Sequence, residues 1–236
     1  MNTSFPNADP AELHRFGALA SRWWDPGGEF RTLHHINPVR MDFVRRHVSL
    51  AGATVADVGC GGGILAEALA ADGAAVTGID LAAPLLEVAR LHGLESGLRV
   101  DYREIAVEEL AVEEAGRYDV VTCMELLEHV PEPASIIAAC AALLKPGGVA
   151  LFSTLNRTPK AYALAIVAAE YLTRLVPRGT HDYARFIRPS ELDAQARAAG
   201  LELVEIRGMH YDPLHVRASL SDDVSVNYLA AYRRET

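Results

Sequence analysis

From residue 54 onward the chain reads as short apolar runs alternating with helical stretches. Thr54–Val58, Ala75–Ile79, Leu98–Tyr102, Tyr118–Cys123 and Val149–Thr154 are predicted strands. Leu65–Asp72, Pro84–His92 and Pro133–Leu144 are predicted helices between them, the last stopped by Lys145-Pro146-Gly147-Gly148. Strands that are apolar along their whole length and separated by helices belong to a mostly parallel sheet covered on both faces. After residue 154 the alternation breaks. Asn156–Asp182 predicts an insertion with one very apolar helix, Pro189–Ala199 a regular helix, and Leu203–Arg207 and Val224–Tyr232 two closing strands, seven in all. Ahead of the core, Ala11–Trp24 places Leu13, Phe16, Leu19, Ala20, Trp23 and Trp24 at near-helical spacing, stopped by Asp25-Pro26-Gly27-Gly28. A second helix is predicted over His35–Val48, opened by Asn37-Pro38. The expectation is one α/β domain over residues 1–236. It comprises a helical cap (1–50), a ligand-binding core (54–155), an insertion (156–188) and the rest of the sheet (189–236).

Composition narrows this. The chain has 236 residues, half of them apolar and 22% charged, which suits a full buried core. Its 22 basic and 31 acidic residues leave a net charge of −9, a poor basis for sequence-independent grip on nucleic acid, which relies on neutralising phosphates. Cys60, Cys123 and Cys140 form no CxxC pair and are odd in number, which fits a reducing cytoplasm. Met1–Pro10 lacks a basic start followed by an apolar run, and no stretch reaches the roughly 20 apolar residues of a membrane span. A cytoplasmic protein is expected.

The sharpest chemical signal is Asp57-Val58-Gly59-Cys60-Gly61-Gly62-Gly63, between a predicted strand and a helix. Glycines there let backbone N–H groups approach a ligand closely. Asp80 ends the next strand, where a carboxylate accepts hydrogen bonds from both hydroxyls of a ribose. Together they imply an adenosine-containing cofactor. A dinucleotide fingerprint wants Gly or Ala where Ile64 stands, and Asp57 would repel a diphosphate while suiting the cationic methionine end of S-adenosylmethionine. A nicotinamide oxidoreductase and a non-catalytic adenosine-binding module are the rival readings.

This stretch, with Tyr118–Cys123 and the LLKPGG turn, resembles the class I S-adenosylmethionine-dependent methyltransferases, whose fold is Rossmann-like. A closer resemblance runs from about residue 11 to 230. Arg22-Trp23-Trp24-Asp25, His35–Arg40 (HINPVR), Thr122–Pro131 (TCMELLEHVP), Ser153–Arg157 (STLNR), Gly179–Asp182 (GTHD) and Val226-Asn227-Tyr228 are similar to the ubiquinone-biosynthesis O-methyltransferases. The resemblance implies methylation of a polyprenyl catechol and of 3-demethylubiquinol, and a ubiquinone-biosynthesis complex as partner. It implies donor contacts at Gly59, Asp80, Met124 (through its backbone) and Arg40 (near the methionine carboxylate), beside Gly61 and Asp57 from the loop. A quinone C-methylating or a small-phenol O-methylating enzyme is the nearest competitor.

Glu125, Glu128 and His129 lie at offsets of 0, 3 and 4, one face of a helix if these residues are helical. Two carboxylates and an imidazole there suit one divalent ion that would favour the acceptor phenolate. The resemblance implies such a magnesium-type site. Without a metal, His129 alone is the candidate proton acceptor. His181, His210 and His215 are weaker candidates for the pocket wall, and Trp23 and Trp24 read as packing.

The stretch Ala161–Ala169 is apolar all round, with Arg157, Lys160, Arg174 and Arg178 around it. Ala161–Val176 is too short to span a bilayer. It suits the headgroup region of an anionic membrane, through residues 160–178, as peripheral contact on the inner face of the cytoplasmic membrane. The other reading is a lid or dimer helix covered by protein.

Overall fold

The computed structural model of the chain describes residues 7–166 and 182–236. The expected α/β alternation forms in chain order as β1 (Thr54–Val58), α3 (Ile64–Ala71), β2 (Ala75–Asp80), α4 (Ala83–Ser96), β3 (Val100–Glu104), α5 (Val107–Glu113), β4 (Tyr118–Met124), α6 (Pro133–Leu143) and β5 (Leu144–Leu155). Before these run α1 (Pro10–Ala18) and α2 (Arg31–His47). After them come the three-residue α7 (Pro159–Ala161), α8 (Pro189–Ala198), β6 (Leu201–Asp212), β7 (Arg217–Ser221) and β8 (Asn227–Arg234). Among the described residues the sheet has eight strands rather than the expected seven, in the order β3-β2-β1-β4-β5-β8-β6-β7. The first five are parallel, and β8, β6 and β7 close the sheet antiparallel.

Alternate residues of each central strand enter opposite cores, which is why these strands read as continuous apolar runs. Ala56, Val121, Cys123, Ala150 and Phe152 face α5, α6 and α8. Val55, Val120, Met124, Val149 and Leu151 face α2, α3 and α4. Phe43, Leu69 and Leu86 on that second side are fully buried, each worth ~1.5–3 kcal/mol. The chain leaves β1 for β2 and β3, then returns to β4 on the other side of β1. That reversal opens a crevice at the carboxyl ends of β1 and β4, where α/β sheets bind ligands.

Three local departures have physical causes. The first helix ends at Ala18, after Gly17, and a 3-10 turn (Ala20–Arg22) follows. Beyond it the chain turns inward because Trp23 packs on Gly61 and Gly62 while Trp24 Nε1 donates to Gly62 O at 2.8 Å. The second helix starts at Arg31, with Pro38 in its interior rather than at its opening. The hydrogen bond that Pro38 forfeits is outweighed by burial of Ile36, Val39, Met41, Phe43 and Val44 on one face. Finally, β5 begins at Leu144, through the expected turn, and its register with β4 shifts between Tyr118 and Val120 to absorb it.

Trp24 fastens the cap to the core. Its ring lies flat on His92, centroids 3.4 Å apart, and His92 Nδ1 meets the buried Glu67 carboxylate at 2.8 Å. Trp24→Ala therefore removes a stack and the hydrogen bond to the glycine loop, and should lower stability by ~2–3 kcal/mol in urea unfolding. A midpoint equal to wild type would show that the cap is not fastened there.

Candidate active site

The glycine loop is pinned from below. Gly59 N and Cys60 N both donate to Ile79 O, at 2.9 and 3.0 Å. Gly61 N donates to Asp80 Oδ2 at 2.9 Å, and Ala82 N to Asp80 Oδ1 at 2.8 Å. Burial pushes the Asp80 carboxyl above its ordinary range, and these backbone donors pull it back. The loop is tight from above as well. Gly61 has φ +54, and a Cβ on it or on Gly62 would strike the Trp23 ring. Trp23 is thus packing, as its sequence pattern suggested.

Beside the loop lies a buried charge cluster. Asp57, at the end of β1, is 2% exposed, and its Oδ1 accepts from Thr122 Oγ1 at 2.7 Å. Its Oδ2 is buried with no hydrogen-bond partner. Burial raises the Asp57 carboxyl to about 7, against the pull of the Thr122 hydroxyl and the Arg40 charge. Arg40, buried on α2, reaches Glu125 Oε2 with Nη2 at 2.5 Å. Ser153 Oγ donates to Glu125 Oε1 at 2.6 Å and accepts from Glu125 N at 3.0 Å. Asp57, Asp80 and Glu125 thus stand with one guanidinium in one cavity wall. Such a wall favours a cation and disfavours a diphosphate.

The expected helical face of Glu125, Glu128 and His129 does not form. Glu125 sits just past β4 at φ +51, in left-handed backbone, and only Leu127–His129 make a 3-10 turn. Each side chain has its own protein partner. Glu125 is held by Arg40 and Ser153, Glu128 accepts from Thr154 Oγ1 at 2.8 Å, and His129 Nδ1 meets Glu12 Oε2 at 2.9 Å. Burial raises the Glu128 carboxyl, opposed by the charge of His129. The donor types suit a hard cation. Among the described residues, however, no group of three His, Cys, Asp or Glu side chains is placed to hold one.

All nine sequence-predicted residues, Arg40, Asp57, Gly59, Gly61, Asp80, Met124, Glu125, Glu128 and His129, line one cavity of about 900 Å³. That is near the upper end of the ~300–1,000 Å³ usual for small-molecule sites, with room for two ligands. The same cavity is also lined by the apolar Leu13, Phe16, Leu19, Ile36, Val226 and Leu164. His210 lines the cavity, whereas His215 is exposed and paired with Asp212. His181 and most of the apolar insertion lie outside the described residues. Sequence reasoning missed Thr122, Ser153 and Thr154, which hold the three carboxylates, although all three stood inside motifs already singled out. It also missed Glu12, for which the sequence carries no signal, since 117 residues separate it from His129.

A family model described as a methyltransferase domain matches residues 32–206. The chain is 59% identical to the ubiquinone biosynthesis O-methyltransferase of Ralstonia nicotianae, over 99% of this chain and 98% of the relative. It is 61% identical to the enzyme of the same name from Bordetella avium, over 97% of this chain and 95% of the relative. Among solved structures it resembles magnesium protoporphyrin IX methyltransferase from Synechocystis with bound SAH. The TM-score is 0.68 at 17% identity, covering 95% of this chain and 94% of that one, a likeness of fold.

Because Asp57 ionises near pH 7, its unpartnered oxygen becomes an anion only as pH rises through that value. Affinity for S-adenosylmethionine should therefore tighten several-fold from pH 6 to 7.5, as the Asp57 carboxylate forms. Asp57→Asn should flatten the profile. Calorimetry at the two pH values measures it, and an equal slope in both proteins would remove Asp57 from the donor site.

Proposed function

The chain belongs to the ubiquinone biosynthesis O-methyltransferase family, and from that premise we propose how its cavity performs the transfer. The protein is an S-adenosylmethionine-dependent O-methyltransferase of ubiquinone biosynthesis. Its acceptors are the hydroxyl of a polyprenyl catechol and that of 3-demethylubiquinol. The observation that carries the donor assignment is the orphaned Oδ2 of buried Asp57, beside carboxylates that outnumber the nearby guanidinium.

S-adenosylmethionine supplies a methyl group already activated as a sulfonium, leaving alignment and a deprotonated acceptor oxygen to the protein. Asp57 accepts from the ammonium, Asp80 from the ribose hydroxyls, and the backbone of Gly59, Gly61 and Met124 lines the donor. Arg40 serves the methionine carboxylate, an exchange that frees Glu125 from its present ion pair. His129 takes the phenolic proton at Nε2, and the neighbouring Glu128 carboxylate steadies the charge gained. The new O–C bond forms as the methyl–sulfur bond breaks with its electron pair left on sulfur, and His129 returns the proton to solvent.

The magnesium-type ion implied by the family resemblance would need Glu125, Glu128 and His129 to trade their present partners. Methyl transfer to a short-chain demethylubiquinol tests the assignment. His129→Gln should lose about a hundredfold in kcat with donor affinity kept, and Asp80→Ala should lose at least tenfold in donor affinity. Loss of rate on exhaustive chelation, restored by Mg²⁺, would move phenolate formation from His129 to an ion.

The polyprenyl tail argues for contact with an anionic membrane through residues 160–178. No helix among the described residues is long and apolar enough to cross a bilayer. Tyr162 and Leu164, at the start of the stretch, are half exposed, and Leu164 also lines the cavity. The wild-type protein should float with anionic vesicles, and a Leu164/Ile166/Val167 to Ser variant should not. Equal flotation of the two proteins would sink the membrane assignment.

A further inference from the structure

The N-terminal cap does more than cover the cavity. Glu12 lies in the first turn of α1, and its Oε2 meets His129 Nδ1 at 2.9 Å. An ionised carboxylate only accepts hydrogen bonds, so Nδ1 carries the hydrogen, and the neutral imidazole then has its lone pair at Nε2. Phe16, one helical turn beyond Glu12, sets its edge against the same imidazole, with ring centroids 5.3 Å apart and planes at 87°. Glu12, Phe16 and His129 line the cavity together.

The helix that carries them is held at its start. Asp9 caps it by accepting from Ala11 N, and its other oxygen receives Arg185 Nη2 at 2.9 Å. Ahead of it, Asn7 Nδ2 donates to Glu108 Oε1 at 2.9 Å, and Asn7 Oδ1 accepts from Glu132 N at 2.9 Å. Glu132 follows His129 by three residues, so one end of α1 is tied to the loop that carries the imidazole.

We infer that Glu12 is a positioning residue for His129, fixing its Nδ1–H tautomer and keeping Nε2 as the basic nitrogen of the acceptor site. The cap helix α1 is thereby part of the acceptor site. This rests on the reading of His129 as proton acceptor. A free imidazole in water prefers the hydrogen on Nε2, the tautomer with no lone pair there, so the carboxylate reverses an intrinsic preference. Glu12 also pairs with Arg15, three residues on, and the Arg15 guanidinium lies 4.9 Å from the Phe16 ring. A helical surface ion pair is all the sequence would lead one to expect of Glu12.

The test is a ¹⁵N–¹H spectrum of protein labelled at histidine, with His129 assigned by its loss in His129→Gln, together with steady-state kinetics and donor affinity by calorimetry. Wild type should show His129 protonated at Nδ1. Glu12→Gln, whose amide oxygen still accepts from Nδ1–H, should keep that tautomer. Glu12→Ala should move it toward Nε2–H and lower kcat ten- to a hundredfold, with donor affinity unchanged and a larger loss than in Glu12→Gln. A wild-type spectrum with the hydrogen on Nε2 overturns the proposal whatever the variants do. So does a Glu12→Ala protein with wild-type tautomer and kcat. If Glu12→Ala shifts the tautomer while His129→Gln keeps wild-type kcat, the positioning contact stands and the proton-acceptor reading fails.

Discussion

The structure depends on a buried imbalance of charge at the carboxyl end of the sheet. Asp57 and Arg40 are buried, and Glu125 is held between Arg40 and Ser153. Taking carboxylates out of water costs several kcal/mol each unless cations or hydrogen-bond donors replace the solvent. The protein supplies Thr122, Ser153, Thr154, the loop amides and one guanidinium, and it leaves Asp57 Oδ2 bare. An arrangement of this kind favours a cationic ligand. The raised ionisation of Asp57 has the same origin, since burial, with the Asp80 and Glu125 charges nearby, favours the neutral acid.

That constraint explains why the loop must be so closely held. Weakly placed carboxylates would turn toward solvent and lose the field that selects a cationic ligand. Ile79 O fixes Gly59 and Cys60, Asp80 fixes Gly61, and Trp23 presses on Gly61 and Gly62 from the cap. The loop therefore presents an ordered backbone with few alternatives, which is the condition for preorganised binding. The residue that presses on it, Trp23, comes from the N-terminal segment, so the core alone does not complete this part of the cavity.

Much of this was legible in the sequence. Thr54–Val58 and the strand over Tyr118–Cys123 were readable because both faces of a parallel strand are buried, and buried strands have no polar alternation to confuse. Asp57 and Asp80 were legible because a glycine turn and a strand-end carboxylate at fixed spacing carry chemistry in their order. The short α5, Val107–Glu113, was hidden in a run of glutamates, and β7 in a mixed polar segment whose only apolar anchors are Ala218 and Leu220. Glu125 defeated the periodicity argument in another way. Offsets of 0, 3 and 4 describe one face only if every intervening residue is helical, and Glu125 is left-handed at the end of a strand, with Pro131 and Pro133 close ahead. Glu12 was out of reach because no local pattern encodes a contact across 117 residues.

The division of the cavity bears on how one enzyme handles both a charged donor and a greasy acceptor. Asp57, Asp80, Glu125 and Glu128 come from the strand ends, where backbone and hydroxyl donors are dense, while Leu13, Phe16 and Leu19 of the cap and Leu164 of the insertion add apolar surface to the same cavity. A water-poor wall around the acceptor oxygen strengthens every charge interaction near it, which makes an unassisted phenolate costly and a placed base necessary. In the proposed mechanism His129 would meet that need: its neighbour Glu128 belongs to the strand-end group, and two of its contacts, Glu12 and Phe16, belong to the cap. His129 is thus held by the helix that also brings Leu13 and Phe16 to the cavity.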